Sequence, residues 1–272
     1  MCSPLECTTP RTHDAVEFVL FKDKTAAETA QMRVLDIPCG AGGFAQRVIK
    51  RGAACVPPDI ADNMSVEEGR ADFAPADMDQ PLPFGDSAFT DIVCIDGIEH
   101  IRRGFDFIRE CQRILKPGGR IILSTPNISS ARSRWRWFLT GHHNKCKSPL
   151  NEERVTPLHH VNMLSYPDIR YLLHSNGFRI QTVATNRIKF VSLLYAVWMP
   201  LLYITTRLTY RKEETDPGQR ARNREVLSTM FSPAVYFGET IIVSAVKTAA
   251  LTASDDALSS NPKTQKDSNE RS

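Results

Sequence analysis

The chain has 272 residues, 42% of them hydrophobic and 24% charged, as in an ordinary globular protein with one large α/β domain or two small ones. Its net charge of +3 is too small to indicate a nucleic-acid partner. The seven cysteines are odd in number and form no CxxC pair, which argues against a disulfide framework or a structural zinc site. Residues 1–30 lack the apolar core of a cleaved signal peptide, so we expect a cytoplasmic protein.

The order of apolar and amphipathic segments predicts an α/β fold. After a loose arm at 1–12, one helix is expected from Asp14, as its N-cap, to Gln31. Further helices are predicted at 43–51, 105–115 and 167–177, with a short helix or turn at 62–68. Strands are predicted at 33–37, 53–56, 71–76, 90–95, 120–124, 178–184 and 238–246. Strands that alternate with helices indicate a Rossmann-like, mostly parallel sheet of seven strands with helices on both faces.

The same pattern divides the chain into segments. An arm and helix at 1–30 precede a core at 31–185, and the last strand of the core lies within 236–250. The segment 186–235 breaks the alternation and is predicted to be an apolar helical insertion before that strand. The polar tail at 251–272 has no apolar periodicity and is predicted to be disordered.

A glycine-rich loop follows the first strand, in the stretch VLDIPCGAGGFA at 34–45. A strand, a glycine loop and a helix form a ligand site at the carboxyl edge of a parallel sheet, and a NAD-dependent dehydrogenase would share this spacing. Asp36 at the end of the strand would repel a pyrophosphate and attract a cation. Asp59, after the second strand, can accept hydrogen bonds from a ribose diol. A ligand with a ribose, a positive charge and no phosphate fits S-adenosylmethionine.

Several motifs in order resemble those of class I S-adenosylmethionine-dependent methyltransferases, of the branch that includes the ubiquinone-biosynthesis O-methyltransferases. They are LDIPCGAGG, Asp59, ADMDQPLPF, FTDIVCIDGIEHI and RILKPGGRIILSTPN, within about 33–127. A fainter similarity continues through LSYPDIRYLLHSNGF and FGETIIVSAVK. The loop departs from the family at Pro38, which replaces its usual first glycine. The resemblance implies a Rossmann-like fold, S-adenosylmethionine as cofactor and methyltransferase activity.

The resemblance also implies which residues contact the cofactor. They are Asp36, Cys39, Gly40 and Gly42 for the methionine part, Asp59 and Ile60 for the ribose, Asp77 and Met78 for the adenine, and Asp96 and Gly97 beside the methyl group.

Transfer of a methyl group to oxygen or nitrogen also requires removal of a proton, and histidine has a suitable pKa. His100 directly follows the fourth strand, and His160, next to His159, precedes a helix that borders the acceptor pocket in the resembling family. We therefore expect His100 and His160 to be catalytic. Two alternatives remain open: Glu99 and His100 cap the next helix, or they hold a divalent metal, as a Glu-x-x-Glu-His segment does in the ubiquinone-pathway enzymes.

Two segments suggest contact with a membrane. Residues 190–206 carry no charge and have basic residues on both sides, but 17 residues fall short of the roughly 20 that span a bilayer. Peripheral embedding in a membrane surface, a buried lid over the acceptor and a true span all remain open. The segment RSRWRW at 132–137 could pack on the sheet, stack on nucleic-acid bases or lie at a membrane surface.

The sequence thus predicts a cytoplasmic, S-adenosylmethionine-dependent methyltransferase that modifies an oxygen of a small-molecule or lipid-linked acceptor, with peripheral membrane contact left open. Methylation of RNA or protein is an alternative, although no NPPY-type motif follows the fourth strand. A methyltransferase fold that binds the cofactor without catalysis is the other alternative.

Overall fold

The computed structural model describes residues 9–145, 149–153, 156 and 159–248. The predicted tail at 251–272 and most of the predicted arm at 1–12 lie outside these residues.

One mixed sheet organises the described chain, and its strands follow the order β2-β1-β3-β4-β6-β5. The strands are β1 Arg33–Asp36, β2 Ala54–Val56, β3 Phe89–Ile95, β4 Leu115–Pro126, β5 Phe178–Thr185 and β6 Thr240–Lys247. The first four strands pair in parallel, and β6 pairs antiparallel with both β4 and β5. The predicted Rossmann-like α/β fold is confirmed.

The predicted count of seven strands is wrong, because the described sheet has six. The missing strand is the one expected at 71–76. A 3-10 turn at Arg70–Asp72 begins this segment, and a single bridge joins Asp59 to Pro75. Pro75 has no N–H group with which to continue a ladder, so the pairing beyond β2 ends there.

Ten α-helices are assigned in the described residues. They are α1 Pro10–Phe21, α2 Ala26–Ala30, α3 Gly43–Lys50, α4 Gly104–Ile114, α5 Ala131–Thr140, α6 Tyr166–Ser175, α7 Phe190–Leu193, α8 Met199–Glu213, α9 Pro217–Met230 and α10 Pro233–Tyr236. The helix or turn expected at 62–68 contains no helix.

The single helix predicted between Asp14 and Gln31 is wrong, since α1 and α2 are separate. The chain turns between them at Asp23, whose φ of 61° is left-handed. Asp14 is not an N-cap: α1 begins at Pro10, and the Asp14 carboxylate pairs with Arg47 at 2.6 Å. A local signal does mark the break, because Thr25 and Glu28 form a capping box at the start of α2.

Helices cover both faces of the sheet. On one face, α1 and α3 contribute Val16, Leu20, Phe44 and Val48 to a buried cluster. On the other face, α4 and α6 contribute Phe107, Ile108, Leu172 and Leu173 to a second cluster. The central strands are buried on both sides, as their continuous apolar runs predict. The loops that follow β1, β2, β3 and β4 therefore meet at one carboxyl edge of the sheet.

The insertion before β6 is helical but does not pack into the core. The helical stretch Phe190–Glu213 has 24 residues. An 18-residue segment of it has a mean hydropathy of 1.3, and only 6% of this segment is buried. By length and composition alone it could cross a membrane. It is longer than the 17 residues expected because the helix continues past the basic residue Arg207. The exposure argues against the buried-lid interpretation.

A matched pair of phenylalanines in α4 tests which face of this helix stabilises the fold. Phe107 is 1% exposed, whereas Phe105 is 47% exposed. We expect Phe107→Ala to lower the free energy of unfolding by about 3–5 kcal/mol, because it leaves a cavity in the core. Phe105→Ala, the control, is expected to lower it by less than about 1 kcal/mol. Urea unfolding followed by circular dichroism measures both, and equal losses would contradict this assignment of the buried face.

Candidate active site at the carboxyl edge of the sheet

The glycine loop connects β1 to α3 and is fixed by its neighbours. Gly40 and Gly42 have φ values of 54° and 82°, which favour glycine. A Cβ atom on Gly42 would lie 2.5 Å from Cγ2 of Val66, so residue 42 cannot carry a side chain without moving that neighbour. The loop is therefore held in one conformation, with its backbone close to the sheet edge.

Asp59 ties the loop after β2 to the glycine loop. Its Oδ2 accepts a hydrogen bond from the Gly40 N–H at 2.8 Å, and its Oδ1 accepts one from the Ile60 N–H at 2.7 Å. Each carboxylate oxygen can accept a further bond. The side chain of Ile60 is 61% exposed. The sequence-predicted pair thus lies directly beside the loop, with capacity for a ligand.

Asp36 is buried beneath the loop. It is 1% exposed, and it accepts a backbone hydrogen bond from Ala45 near the start of α3. Burial, and next the neighbouring charge of Asp59, raise the pKa of Asp36 to about 8. Among the described residues, no group hydrogen-bonds to its Oδ2. Such an orphaned acceptor calls for a donor or a cation.

Cys39 and the predicted adenine-side residues line the neighbouring loops. Burial raises the pKa of the Cys39 thiol, so the thiol stays protonated, and the Cys39 carbonyl accepts the Gly42 N–H at 2.9 Å. The Oδ1 of Asp77 accepts the Asp79 N–H at 2.8 Å, and Met78 packs, half-buried, against the main core.

Asp79 is a structural anchor that the sequence analysis missed. Its Oδ1 accepts the N–H groups of Arg102 and Arg103 at 2.9 and 2.8 Å. These bonds join the segment around Asp77 to the start of α4. Nothing local in the sequence distinguishes Asp79 from Asp77, because the partners lie more than 20 residues away.

Asp96 and Gly97 follow β3, and they contact β4 on one side and the loop after β1 on the other. Asp96, with a φ of 47°, donates its N–H to the Ser124 Oγ at 3.0 Å, and the Ser124 hydroxyl donates back to Asp96 Oδ1 at 2.9 Å. A Cβ atom on Gly97 would lie 2.4 Å from Cδ of Pro38. The loops after β1 and β3 therefore touch, and only glycine fits at the contact.

Glu99, His100 and His160 form a cluster next to this contact. Their ligand atoms lie within 4.8 Å of one another, and the two imidazole rings have centroids 4.8 Å apart. The segment that carries His160 is attached through backbone bonds: Nδ1 of His100 lies 3.2 Å from the His159 carbonyl, and the N–H of Val161 donates to the Glu99 carbonyl at 2.9 Å. The structure thus brings together the two histidines that the sequence predicted.

Glu99 is an unusual member of this cluster. It is fully buried, and burial followed by the charge of Asp96 raises its pKa to about 8. The Thr125 hydroxyl acts against this shift, although neither carboxylate oxygen meets full hydrogen-bond geometry with a group of the described chain. The alternative that Glu99 and His100 cap the next helix does not fit, because α4 starts after Arg103 and the N–H groups of Arg102 and Arg103 just before it bond to Asp79. One carboxylate with two imidazoles can bind a divalent cation or move a proton.

Comparison with protein families shows which family the chain belongs to. The model of a methyltransferase domain family matches residues 11–183, more than half of the chain. The chain belongs to this family. It thus contains a methyltransferase domain, whose cofactor is S-adenosylmethionine.

Curated relatives and solved structures agree with the family. The chain is 30% identical over 115 residues to a ubiquinone biosynthesis O-methyltransferase of Xanthomonas euvesicatoria, covering 39% of this chain and 48% of the relative. It is 32% identical over 109 residues to the Pseudomonas aeruginosa enzyme of that name, covering 37% and 47%. The chain thus spans about half the length of these relatives. A methyltransferase structure from Archaeoglobus fulgidus shares the fold, with a TM-score of 0.52, 16% identity and coverage of 88% and 95%.

The burial of Asp36 makes a prediction about stability and pH. Because its folded pKa lies above the ordinary value of 3.8, the folded methyltransferase binds more protons than the unfolded chain between about pH 4 and pH 8. The free energy of unfolding should therefore fall as the pH rises through this range. Asp36→Asn removes the ionisation, so without cofactor it should be more stable than the native chain at pH 9 by more than about 1 kcal/mol, and less so at pH 5.

Urea unfolding at both pH values measures this difference. The control is Asp72→Asn, at an exposed position outside the site. If the stability of Asp36→Asn followed the native pH profile, the burial of a raised-pKa carboxyl group would be refuted.

Proposed function

We propose that the chain transfers the methyl group of S-adenosylmethionine to an oxygen of a small-molecule or lipid-linked acceptor. The observation that carries this proposal is the contact between Pro38 and Gly97. It sets the cofactor loop, with buried Asp36, next to the segment that carries His100 and the paired His160. A donor site and a proton acceptor then lie on adjacent loops.

The cofactor side fits the charge of S-adenosylmethionine, which when bound supplies a methyl group on a cationic sulfur. The orphaned Oδ2 of Asp36 is a buried acceptor that suits a cationic ligand. Asp59 has capacity for ribose hydroxyls while it holds Gly40 in place. The further residues that we assign to the cofactor are Cys39, Gly42, Ile60, Asp77, Met78, Asp96 and Gly97.

The acceptor side depends on the tautomer of His100. A carbonyl oxygen only accepts hydrogen bonds, so the contact with the His159 carbonyl puts the proton of neutral His100 on Nδ1. In this tautomer Nε2 carries the ring lone pair and is the atom that would take the proton of an acceptor hydroxyl. The name of the ubiquinone O-methyltransferases supports an oxygen acceptor. A divalent cation on Glu99, His100 and His160 would serve the same end by polarising that oxygen.

Calorimetry with S-adenosylmethionine, S-adenosylhomocysteine and NAD tests the roles of the two sides. We expect the native chain to bind the first two ligands and not NAD. Asp59→Asn should weaken S-adenosylmethionine at least tenfold, because it loses charge-assisted hydrogen bonds of about 1.5–3 kcal/mol. His100→Gln, the control for binding, should change the affinity less than about twofold. Binding of NAD alone, or equal affinity in Asp59→Asn, would overturn the proposal.

The membrane part of the proposal rests on the exposed helical stretch Phe190–Glu213. Phe190, Leu194 and Val197 are 83%, 66% and 73% exposed, which is costly in water. A span is disfavoured because the chain returns at once through α9. That helix is polar and fixed to the core by the pair Arg170–Glu225 at 2.6 Å. Both ends of the stretch are thus attached to one body, which suits embedding in the membrane interface.

Flotation with phospholipid vesicles tests this contact. We expect the full chain to float with vesicles and Phe190→Glu to bind at least tenfold more weakly, because burial of a phenylalanine contributes about 1.5–3 kcal/mol. The matched control is Phe18→Glu, since Phe18 is 66% exposed on α1, away from the insertion. A native chain that ignored vesicles, or equal losses in both variants, would refute membrane contact through 190–206.

A further inference from the structure

A small cavity of about 140 Å³ lies where α5, the start of α7 and the start of β6 meet. Four basic side chains line it: Arg132 and Arg136 of α5, Lys145, and Lys189 just before α7. The one acidic side chain in its lining is Glu239. We name it the basic cavity, and neither the cofactor site nor the histidine cluster includes these residues.

The two arginines of the basic cavity have no counter-charge in the described chain. Arg132 and Arg136 are four residues apart, so they lie on the same side of α5. Neither forms an ion pair among the described residues, and like charges at this spacing destabilise a helix. Lys145 donates only to a neutral group, the Thr240 hydroxyl, at 3.1 Å. Three positive charges therefore lie together, and none of them forms an ion pair with an acidic side chain of the described chain.

Glu239 does not supply that acid, because two other side chains bind it. Arg187 donates to its Oε2, and Lys189 donates to its Oε1 at 2.7 Å. Burial acts to raise its pKa, but these hydrogen bonds outweigh burial and lower the pKa of Glu239 to about 2. Its single negative charge is thus shared by Arg187 and Lys189. The charges of Arg132, Arg136 and Lys145 remain in excess.

Two segments distant in sequence carry exposed apolar side chains and meet beside the basic cavity. Trp135 of α5 stacks on Trp198 of the insertion, with ring centroids 5.3 Å apart. We name this the apolar surface; its exposed members are Trp135, Trp137, Phe138 and Leu139 on α5, and Phe190, Val191, Leu193, Leu194, Val197, Trp198, Leu201, Tyr203, Ile204 and Leu208 on the insertion. A ligand with its charged group in the cavity would have its remainder directed along aromatic and aliphatic side chains.

The basic cavity also lies close to the histidine cluster. The charge of Lys145 acts to lower the pKa of both Glu99 and Glu239. Asn127, which directly follows β4, lines the cavity and belongs to the same sheet edge as Asp96 and Gly97. A group bound in the cavity would therefore sit beside the proposed acceptor position.

We propose that the basic cavity binds the phosphate group of a membrane lipid whose hydrocarbon chain lies on the apolar surface. Guanidinium groups bind phosphate through paired donors, and Arg132 and Arg136 offer two of them. The apolar border favours a lipid over a soluble phosphate ester, which would gain nothing from it. The inference rests on the membrane contact proposed above and adds a defined head-group site of stated chemistry.

Vesicle co-sedimentation of the full chain tests the site. We compare phosphatidylcholine vesicles with vesicles that also contain phosphatidic acid, at one fixed salt concentration. The native chain should bind the second kind at least about tenfold more tightly. Arg132→Gln/Arg136→Gln should lose most of this preference. Arg132→Lys/Arg136→Lys keeps the charge and should fall between, because lysine lacks the paired donors of arginine.

The charge-matched control is Lys24→Gln/Lys116→Gln. These residues line a cleft at the opposite, amino edge of the sheet, so this control should lose less than about twofold. Equal losses in the two double glutamine variants would indicate non-specific attraction to an anionic surface and would overturn the proposal. No preference in the native chain would overturn it as well. Binding of soluble glycerol phosphate as tightly as phosphatidic acid vesicles, measured by calorimetry, would show that the apolar surface adds nothing, and would assign the cavity to a free phosphate ester.

Calorimetry with S-adenosylmethionine on the same samples separates this inference from the methyltransferase proposal. Normal cofactor affinity in Arg132→Gln/Arg136→Gln shows that the variant is folded, so its lipid binding is a valid readout. Cofactor binding without a lipid preference rejects only the head-group site. A lipid preference without cofactor binding rejects only the proposed methyl transfer.

Discussion

The contact of Pro38 with Gly97 is the constraint on which the site depends. Because residue 97 has no Cβ, the loop after β1 can lie directly against the loop after β3. Asp36 is then covered by its own loop, and the chain beyond Gly97 turns at once into the 3-10 turn Ile98–His100. A side chain at 97 would push these loops apart. The proposed cofactor loop and the histidine cluster would then no longer lie side by side. The absence of a side chain at Gly97 is therefore what allows the two halves of the site to be adjacent.

This close packing has an electrostatic consequence. Asp36 and Glu99 are both buried, and burial raises the pKa of each to about 8. Near neutral pH both sites therefore favour the protonated form until a positive partner arrives. A cationic ligand next to Asp36 would favour the carboxylate, since it repays part of the desolvation. Binding of a cation next to Asp36 is therefore coupled to release of its proton. Without the cation, the buried carboxylate lowers the stability of the fold.

Site residues that directly follow a strand could be predicted from the sequence, because a local pattern marks the strand. Contacts between segments distant in sequence could not be predicted. The apolar runs at β1, β3 and β4 mark their strands, and Asp36 and Asp59 follow from the ends of strands. The error at 71–76 came from one proline in a weakly apolar run. Asp79 and the buried state of Glu99 depend on partners in other loops. The pairing of His100 with His160 spans 60 residues, and no local pattern carries it.

The acceptor side follows from the connectivity of the sheet. The helix α5 starts soon after β4 ends, so its exposed tryptophans lie a few residues from the carboxyl edge of the sheet. The insertion between β5 and β6 meets α5 through the stack of Trp135 on Trp198 because β6 lies beside β4. An apolar surface of this extent is unfavourable in water, and a membrane removes that cost. The docking proposed above would bring the histidine cluster close to the interface, within reach of the lipid-linked acceptor that we propose.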